Sequence, residues 1–128
     1  MEKKNSILIV EDDQLFVTVL EEFLQDDYIL HFAKNGHAAI NKAMNERPCL
    51  VLMDINMPGM SGHEVVSALQ YMPETKKTPI IFLTHSNSPK DEAQGFRLGA
   101  VDYINKNLRI DEIKARIDHQ IELINKKS

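Results

Sequence analysis

The stretch Val51-Leu52-Met53-Asp54-Ile55-Asn56-Met57-Pro58-Gly59-Met60-Ser61-Gly62 (VLMDINMPGMSG) decides how this chain folds. It opens inside an apolar run, Cys49–Met53 (CLVLM). A run that is apolar on nearly every residue reads as a strand covered on both faces, as parallel strands are. The run ends on a carboxylate, Asp54. A helix then starts, because Ser61 followed three residues later by Glu64 is a capping-box signature, and Val65, Val66, Leu69 and Met72 follow at helical spacing. Strand, carboxylate, loop and helix therefore succeed one another here.

The same alternation extends in both directions. Apolar runs recur at Ser6–Val10 (SILIV), Ile29–Phe32 (ILHF), Pro79–Leu83 (PIIFL) and Val101–Ile104 (VDYI). Between them lie helical stripes: Leu15, Phe16, Val19, Leu20, Phe23 and Leu24, and then Ala39, Ile40, Ala43 and Met44. Ser88-Pro89 reads as an N-cap with proline at the first helical position, and Gly99 is placed to stop that helix. Ile110, Ile113, Ile117, Ile121 and Ile124 mark the last one. Five strands alternating with five helices predict an α/β fold: a doubly wound, five-stranded parallel sheet with helices on both faces and right-handed crossovers. Periodicity alone does not choose the strand order. The flavodoxin-like order 2-1-3-4-5 is one of the two common choices.

Bulk properties narrow the function classes. The 128 residues are one domain's worth, with no linker, repeat or low-complexity tract, so residues 1–128 are expected to form a single domain with a core from about 6 to 124. A domain of this size buries roughly two-thirds of its unfolded surface and needs no disulfide to hold a core. No apolar run approaches a membrane span, and the N-terminus lacks a secretory pattern. The one cysteine, Cys49, fits a reducing compartment, expected here to be the cytoplasm, and reads as a small buried hydrophobe. Net charge is −4 and no dense basic stripe precedes Lys126-Lys127, which argues against direct nucleic-acid binding.

In open α/β sheets, ligands bind beyond the carboxyl ends of the strands. There the first strand presents Glu11, Asp12 and Asp13, the third Asp54, the fourth Thr84, and the fifth Lys106. Converging carboxylates are tolerable around a hard dication, and Mg²⁺ takes about six oxygen ligands. A carboxylate beside Mg²⁺ can attack phosphorus, while a lysine neutralises the phosphoryl oxygens and a threonine hydroxyl donates to one. Each residue also has a plainer reading. Asp13 serves as a helix cap, Asp54 as a turn residue, Thr84 as a strand end, Lys106 as a solvated lysine, and Met57 and Met60 as packing side chains. The conjunction of the set at the strand ends favours chemistry.

These segments, ILIVEDD (Ile7–Asp13), VLMDINMPGMSG (Val51–Gly62), PIIFLT (Pro79–Thr84) and GAVDYINK (Gly99–Lys106), resemble the receiver domains of two-component response regulators over about Ser6 to Ile124. The resemblance implies that Asp54 is the phosphoacceptor. It implies a site for Mg²⁺ (or Mn²⁺) made by Glu11, Asp12, Asp54 and the backbone carbonyl of Asn56. Thr84 and Lys106 would bind the phosphoryl group, and Tyr103 would be the aromatic switch residue. The plainer place for Tyr103 is a half-exposed strand aromatic. The implied donor is a sensor histidine kinase or a histidine phosphotransfer protein. The implied output surface is the fourth helix, fifth strand and fifth helix, where an unidentified partner or a second copy would dock; Asp102 and Arg116 there are candidates for cross-dimer pairs.

Two residues depart from the family pattern. Asn107 stands where a proline, commonly in a cis peptide, usually follows the lysine. A cis Lys106–Asn107 bond would cost roughly 3 kcal/mol, so the expectation is a trans bond in a reshaped loop or a strained cis bond. His85 stands where a small residue usually follows the threonine, and would slow phosphoryl transfer or hydrolysis. The resemblance implies a signalling module rather than a turnover enzyme, with a non-phosphorylated binding module as the alternative. An aspartyl-nucleophile phosphatase would need an acid where Asn56 stands. A flavin protein would need a phosphate-cradling first loop, where Glu11-Asp12-Asp13-Gln14 is acidic and lacks glycine.

Overall fold

The computed structural model describes residues 4–86 and 88–127. The elements are β1 (Ser6–Val10), α1 (Gln14–Leu24), β2 (Ile29–Ala33), α2 (Gly36–Glu46), β3 (Leu50–Met53), α3 (Gly62–Tyr71), β4 (Ile80–Thr84), α4 (Pro89–Arg97), β5 (Asp102–Asn105) and α5 (Ile110–Lys127). The strands are all parallel in the order β2-β1-β3-β4-β5. Tertiary pairing thus settles the order that periodicity left open. Several strands begin or end one residue from the apolar runs. Pro79 offers no N–H to the ladder and stays outside β4, while Thr84 pairs with Asn105 and lies within it.

Alternate residues of each strand feed two cores. Leu8, Val10, Val51, Met53, Ile80 and Phe82 pack under α2 and α3, with Ala39, Ala43, Val65 and Leu69. Ile7, Ile9, Leu50, Leu52, Ile81, Leu83 and Ile104 pack under α1 and α5, with Leu20, Leu24, Ile113 and Ile117. This two-sided burial is why the central strands carry no polar alternation. Each fully buried aliphatic side chain stabilises the fold by about 2 kcal/mol relative to exposure. Met57 is buried in the first core and Met60 packs against it.

The helix starts are built locally as the sequence predicts. The Asp13 carboxylate accepts the Leu15 N–H at 3.1 Å. Ser61 and Glu64 form the reciprocal capping box. Ser88 caps α4 with Pro89 behind it, and Gly99 ends that helix at φ +97°.

Gly62 is where α3 meets the end of β3. Its N–H donates to the Ile55 carbonyl at 2.9 Å. A Cβ there would collide with the Asp54 carbonyl oxygen and lie 2.8 Å from the Ile55 Cα, both backbone atoms that cannot swing aside. Gly62→Ala is therefore expected to lose about 2 kcal/mol of stability through overpacking. Chemical denaturation checks this, and an unchanged midpoint would show that the loop after Asp54 shifts freely.

Candidate functional site

Register brings the chemistry together. Val10 pairs with Met53, so the next residues, Glu11 and Asp54, leave adjacent strands at the same level. Thr84 pairs with Asn105, so Lys106 follows just beyond it. One carboxylate oxygen from each of Glu11, Asp12 and Asp54 lies within 4.8 Å of the others. Glu11 and Asp54 are buried and Asp12 is exposed at the mouth.

Lys106 closes the site from β5. Its side chain is only 4% exposed, and its Nζ pairs with Glu11 Oε1 and lies 3.2 Å from Asp54 Oδ2. The other oxygen of each buried carboxylate is also engaged. Glu11 Oε2 accepts the Asp13 N–H at 3.1 Å, and Asp54 Oδ1 accepts the Asn56 N–H at 3.3 Å. The Asn56 side chain itself is exposed. Burial pushes the Glu11 carboxyl above its ordinary range, and Lys106 pulls it back by hydrogen bond and charge.

The Lys106–Asn107 peptide is trans, since no cis bond occurs among the described residues. The reason is visible in the loop. The Asn107 N–H, which a proline would lack, donates to Asn105 Oδ1 at 2.7 Å. The Leu108 N–H donates to the Asn105 carbonyl at 3.2 Å, and the Lys106 N–H to the Thr84 carbonyl at 2.9 Å. Asn105 and Asn107 together make an Asx turn that aims Lys106 at Asp54 without a cis bond.

Thr84 is fully buried, and its hydroxyl oxygen accepts the Ser86 N–H at 3.3 Å. The Ser86 carbonyl in turn accepts the Tyr103 hydroxyl at 3.3 Å. Tyr103 is 8% exposed, so the half-exposed placement is corrected: its ring packs near Phe82 within the α2–α3 core, and Gly95, lacking a side chain, leaves room for the Phe82 ring. Burial raises its hydroxyl pKa. His85 is exposed beside Thr84. Asp102 and Arg116 are already joined within the chain by two hydrogen bonds, at 2.9 and 2.5 Å. Cys49 is half-buried rather than buried, because it sits just before β3, at the amino-terminal end of the central strand; burial raises its thiol pKa, but hydrogen bonds from Asn5 and Ser6 outweigh that and lower it.

Two residues of the site are invisible to motif reading. Ser86 links Thr84 to Tyr103 through its backbone, and any residue type offers that. Phe16 lies under the Lys106 ammonium, 4.9 Å from ring centroid to Nζ, yet in sequence it is one more member of the α1 stripe.

With all three acids ionised, one ammonium against three carboxylates leaves two negative charges uncompensated. The donors are hard oxygens, partly open to solvent at Asp12. That set fits a divalent cation of the magnesium kind.

Comparison with known proteins adds the following. The family model described as the response regulator receiver domain matches residues 7–118. A probable cyclic di-GMP phosphodiesterase of Vibrio cholerae is 38% identical over 96% of this chain, which covers 27% of that protein. Among solved structures, chemotaxis protein CheY4 of Vibrio cholerae superposes with TM-score 0.85 at 29% identity, over 91% of this chain and 98% of that one. The receiver domain of a Pseudomonas aeruginosa sensor histidine kinase, described with a magnesium ion coordinated in its active-site cleft, gives TM-score 0.81 at 25% identity, over 91% and 97%. The chain spans half or less of the first curated relatives it matches.

Proposed function

The chain belongs to the response regulator receiver domain family, and from that premise we propose that it accepts a phosphoryl group on Asp54 and passes the event to its α4-β5-α5 face. The observation that carries this is the buried Asp54 carboxylate, held by Lys106 within a cluster of three acids that suits a dication. Glu11, Asp12, Asp54 and the Asn56 carbonyl would hold Mg²⁺ or Mn²⁺, which neutralises charge on the phosphoryl oxygens.

The chain's own residues have separable tasks. Asp54 Oδ2, the oxygen facing Lys106, attacks phosphorus, and the donor keeps the bonding electrons as leaving group. Lys106 is a point charge for a phosphoryl oxygen, already desolvated and in place. Thr84 uses its oxygen to accept from Ser86, so its proton is free to donate to another phosphoryl oxygen. Turning that hydroxyl toward the phosphoryl group weakens its bond to the Ser86 N–H. The Ser86 carbonyl is what Tyr103 holds, so the disturbance reaches β5 through two hydrogen bonds. The outcome is a shift between two arrangements of α4, β5 and α5, driven by their different interaction with the phosphoryl group.

On this reading the protein is a signalling switch rather than a turnover enzyme. It takes its phosphoryl group from a histidine kinase or phosphotransfer protein in the cytoplasm and hands its state to an output partner or a second copy. Incubation with acetyl phosphate and Mg²⁺ is expected to add one hydroxylamine-sensitive phosphoryl group, and EDTA to prevent it. Beryllofluoride is expected to bind with Mg²⁺ and move the Tyr103 signals by NMR. No response to either reagent would leave a non-phosphorylated binding module. His85→Ala opens the exposed side of the site, so phosphorylation by acetyl phosphate and hydrolysis are each expected to speed up several-fold. Equal rates in parent and variant would remove His85 from the gate.

A further inference from the structure

Lys106 presents an unusual problem of charge. Its ammonium is almost completely withdrawn from water, and desolvating an ion costs several kcal/mol unless every side of it is compensated. Glu11 and Asp54 compensate one side. On another lies the ring of Phe16 at 4.9 Å. An aliphatic side chain there would desolvate the cation and return nothing, whereas an aromatic ring offers its electron-rich face.

The placement of that ring is tied to the site. Leu15, its neighbour, is 81% exposed, while Phe16 turns inward against the α1–α5 core. The Phe16 N–H approaches Asp13 Oδ1 at 3.5 Å, and the Asp13 N–H donates to Glu11 Oε2 at 3.1 Å. The residue carrying the ring and the carboxylate that pairs with Lys106 are thus held to each other through one cap. On the far side, the Lys106 backbone rests on the Asx turn of Asn105 and Asn107, with no proline ring to stiffen it.

We propose that Phe16 is a positioning residue of the phosphorylation site: the face of its ring holds the Lys106 ammonium against Glu11 and Asp54, the place from which it meets the phosphoryl group. The inference rests on the reading of Asp54 as phosphoacceptor for its kinetic consequence, but not for the ring–ammonium contact itself.

Two measurements separate these. The first needs no phosphorylation. In the parent, ring current should shift the Lys106 ε-methylene protons upfield of those of the exposed lysines, and Phe16→Leu should return them. Absence of that shift in the parent overturns the proposal. The second is the initial rate with acetyl phosphate at saturating Mg²⁺. Phe16→Leu is expected to slow it by roughly three- to tenfold, equivalent to about 0.7–1.4 kcal/mol, within the range of a cation–π contact. Its half-saturating Mg²⁺ should stay within roughly twofold of the parent's, since the metal's own ligands are untouched.

Phe16→Tyr, which keeps the ring face, should keep the parent rate. Phenylalanine bearing one, two and three fluorines at position 16 keeps the packing but drains the ring face, and should slow the reaction stepwise. A flat fluorine series, or a Phe16→Leu rate equal to the parent's, shows packing alone and overturns the proposal. If the parent takes up no phosphoryl group, the phosphoacceptor reading fails, and the ring-current shift alone decides whether Phe16 holds Lys106.

Discussion

Asp54→Asn, incubated with acetyl phosphate and Mg²⁺, is expected to take up no phosphoryl group, a fall of at least about a thousandfold in rate. An amide is not a nucleophile toward phosphorus at neutral pH, and no other carboxylate in the cluster is placed like Asp54. Both Glu11 and Asp54 meet Lys106 and a backbone N–H, but Glu11 makes the closer pair with the ammonium, and Asp12 is exposed at the mouth. The substitution is nearly isosteric, and the amide oxygen can still accept the Asn56 N–H. Folding should survive, because Asp54 is one of the charges that raise the Glu11 pKa and removing it relieves repulsion. Phosphoprotein mass and thermal unfolding, measured on the same sample, check both halves. Continued labelling at another residue would sink the assignment of Asp54. A collapsed fold would mean instead that the carboxylate is structural.

Lys106→Met is expected to show the second large effect, on stability. Methionine fills similar space but leaves Glu11 and Asp54 buried without their cation. Removing one partner of a buried pair costs about 3–5 kcal/mol. The loss should depend on pH in a defined direction. Burial already raises the Glu11 pKa, while Lys106 and the Asp13 N–H lower it; without the lysine it rises further. A carboxyl whose folded pKa exceeds its unfolded value binds its proton more tightly when folded. The variant therefore gains stability as pH falls through that raised value, and loses it as pH rises. Mg²⁺, supplying the missing positive charge, should stabilise the variant more than the parent by preferential binding to the folded state. Urea denaturation at acid and neutral pH, with and without Mg²⁺, tests this. A deficit independent of both would mean that Lys106 contributes packing rather than charge. Phosphorylation should also slow, since a phosphoryl oxygen loses its counter-charge.

Much of the site was legible because strand ends are legible. A parallel strand buried on both faces must be apolar throughout, so the first polar residue after the run marks where the chain leaves the sheet. That argument alone located Glu11 and Asp54, placed Thr84 within one residue, and left Lys106 one residue beyond the first polar residue, Asn105. The helix starts at Asp13, Ser61 and Ser88 were equally plain, because capping is an interaction between residues two or three apart. The family-model match over residues 7–118 agrees with the motif segments that first pointed to a receiver domain.

What resisted reading depends on partners distant in sequence. Tyr103 reads as a half-exposed strand aromatic, and its burial comes from packing beside Phe82 and from the hydrogen bond to the Ser86 carbonyl, both distant in sequence. Arg116 and Asp102, candidates for pairing between chains, bind each other, because α5 lies over β5. Asn107 posed a choice between cis and trans, and a side chain two residues earlier decided it by accepting the Asn107 N–H.

The sequence by itself determined the alternation of strands and helices, the two-sided burial of the sheet and the kinds of group at its carboxyl edge. Each of these follows from periodicity or from neighbours within one turn. Only the tertiary structure decided the strand order, the trans path of the loop after Lys106, and the enclosure of its ammonium by Glu11, Asp54 and Phe16. Those depend on which strand lies beside which, and a contact between residues 16 and 106 is set by the register of the sheet and the packing of α1 upon it rather than by local backbone preference.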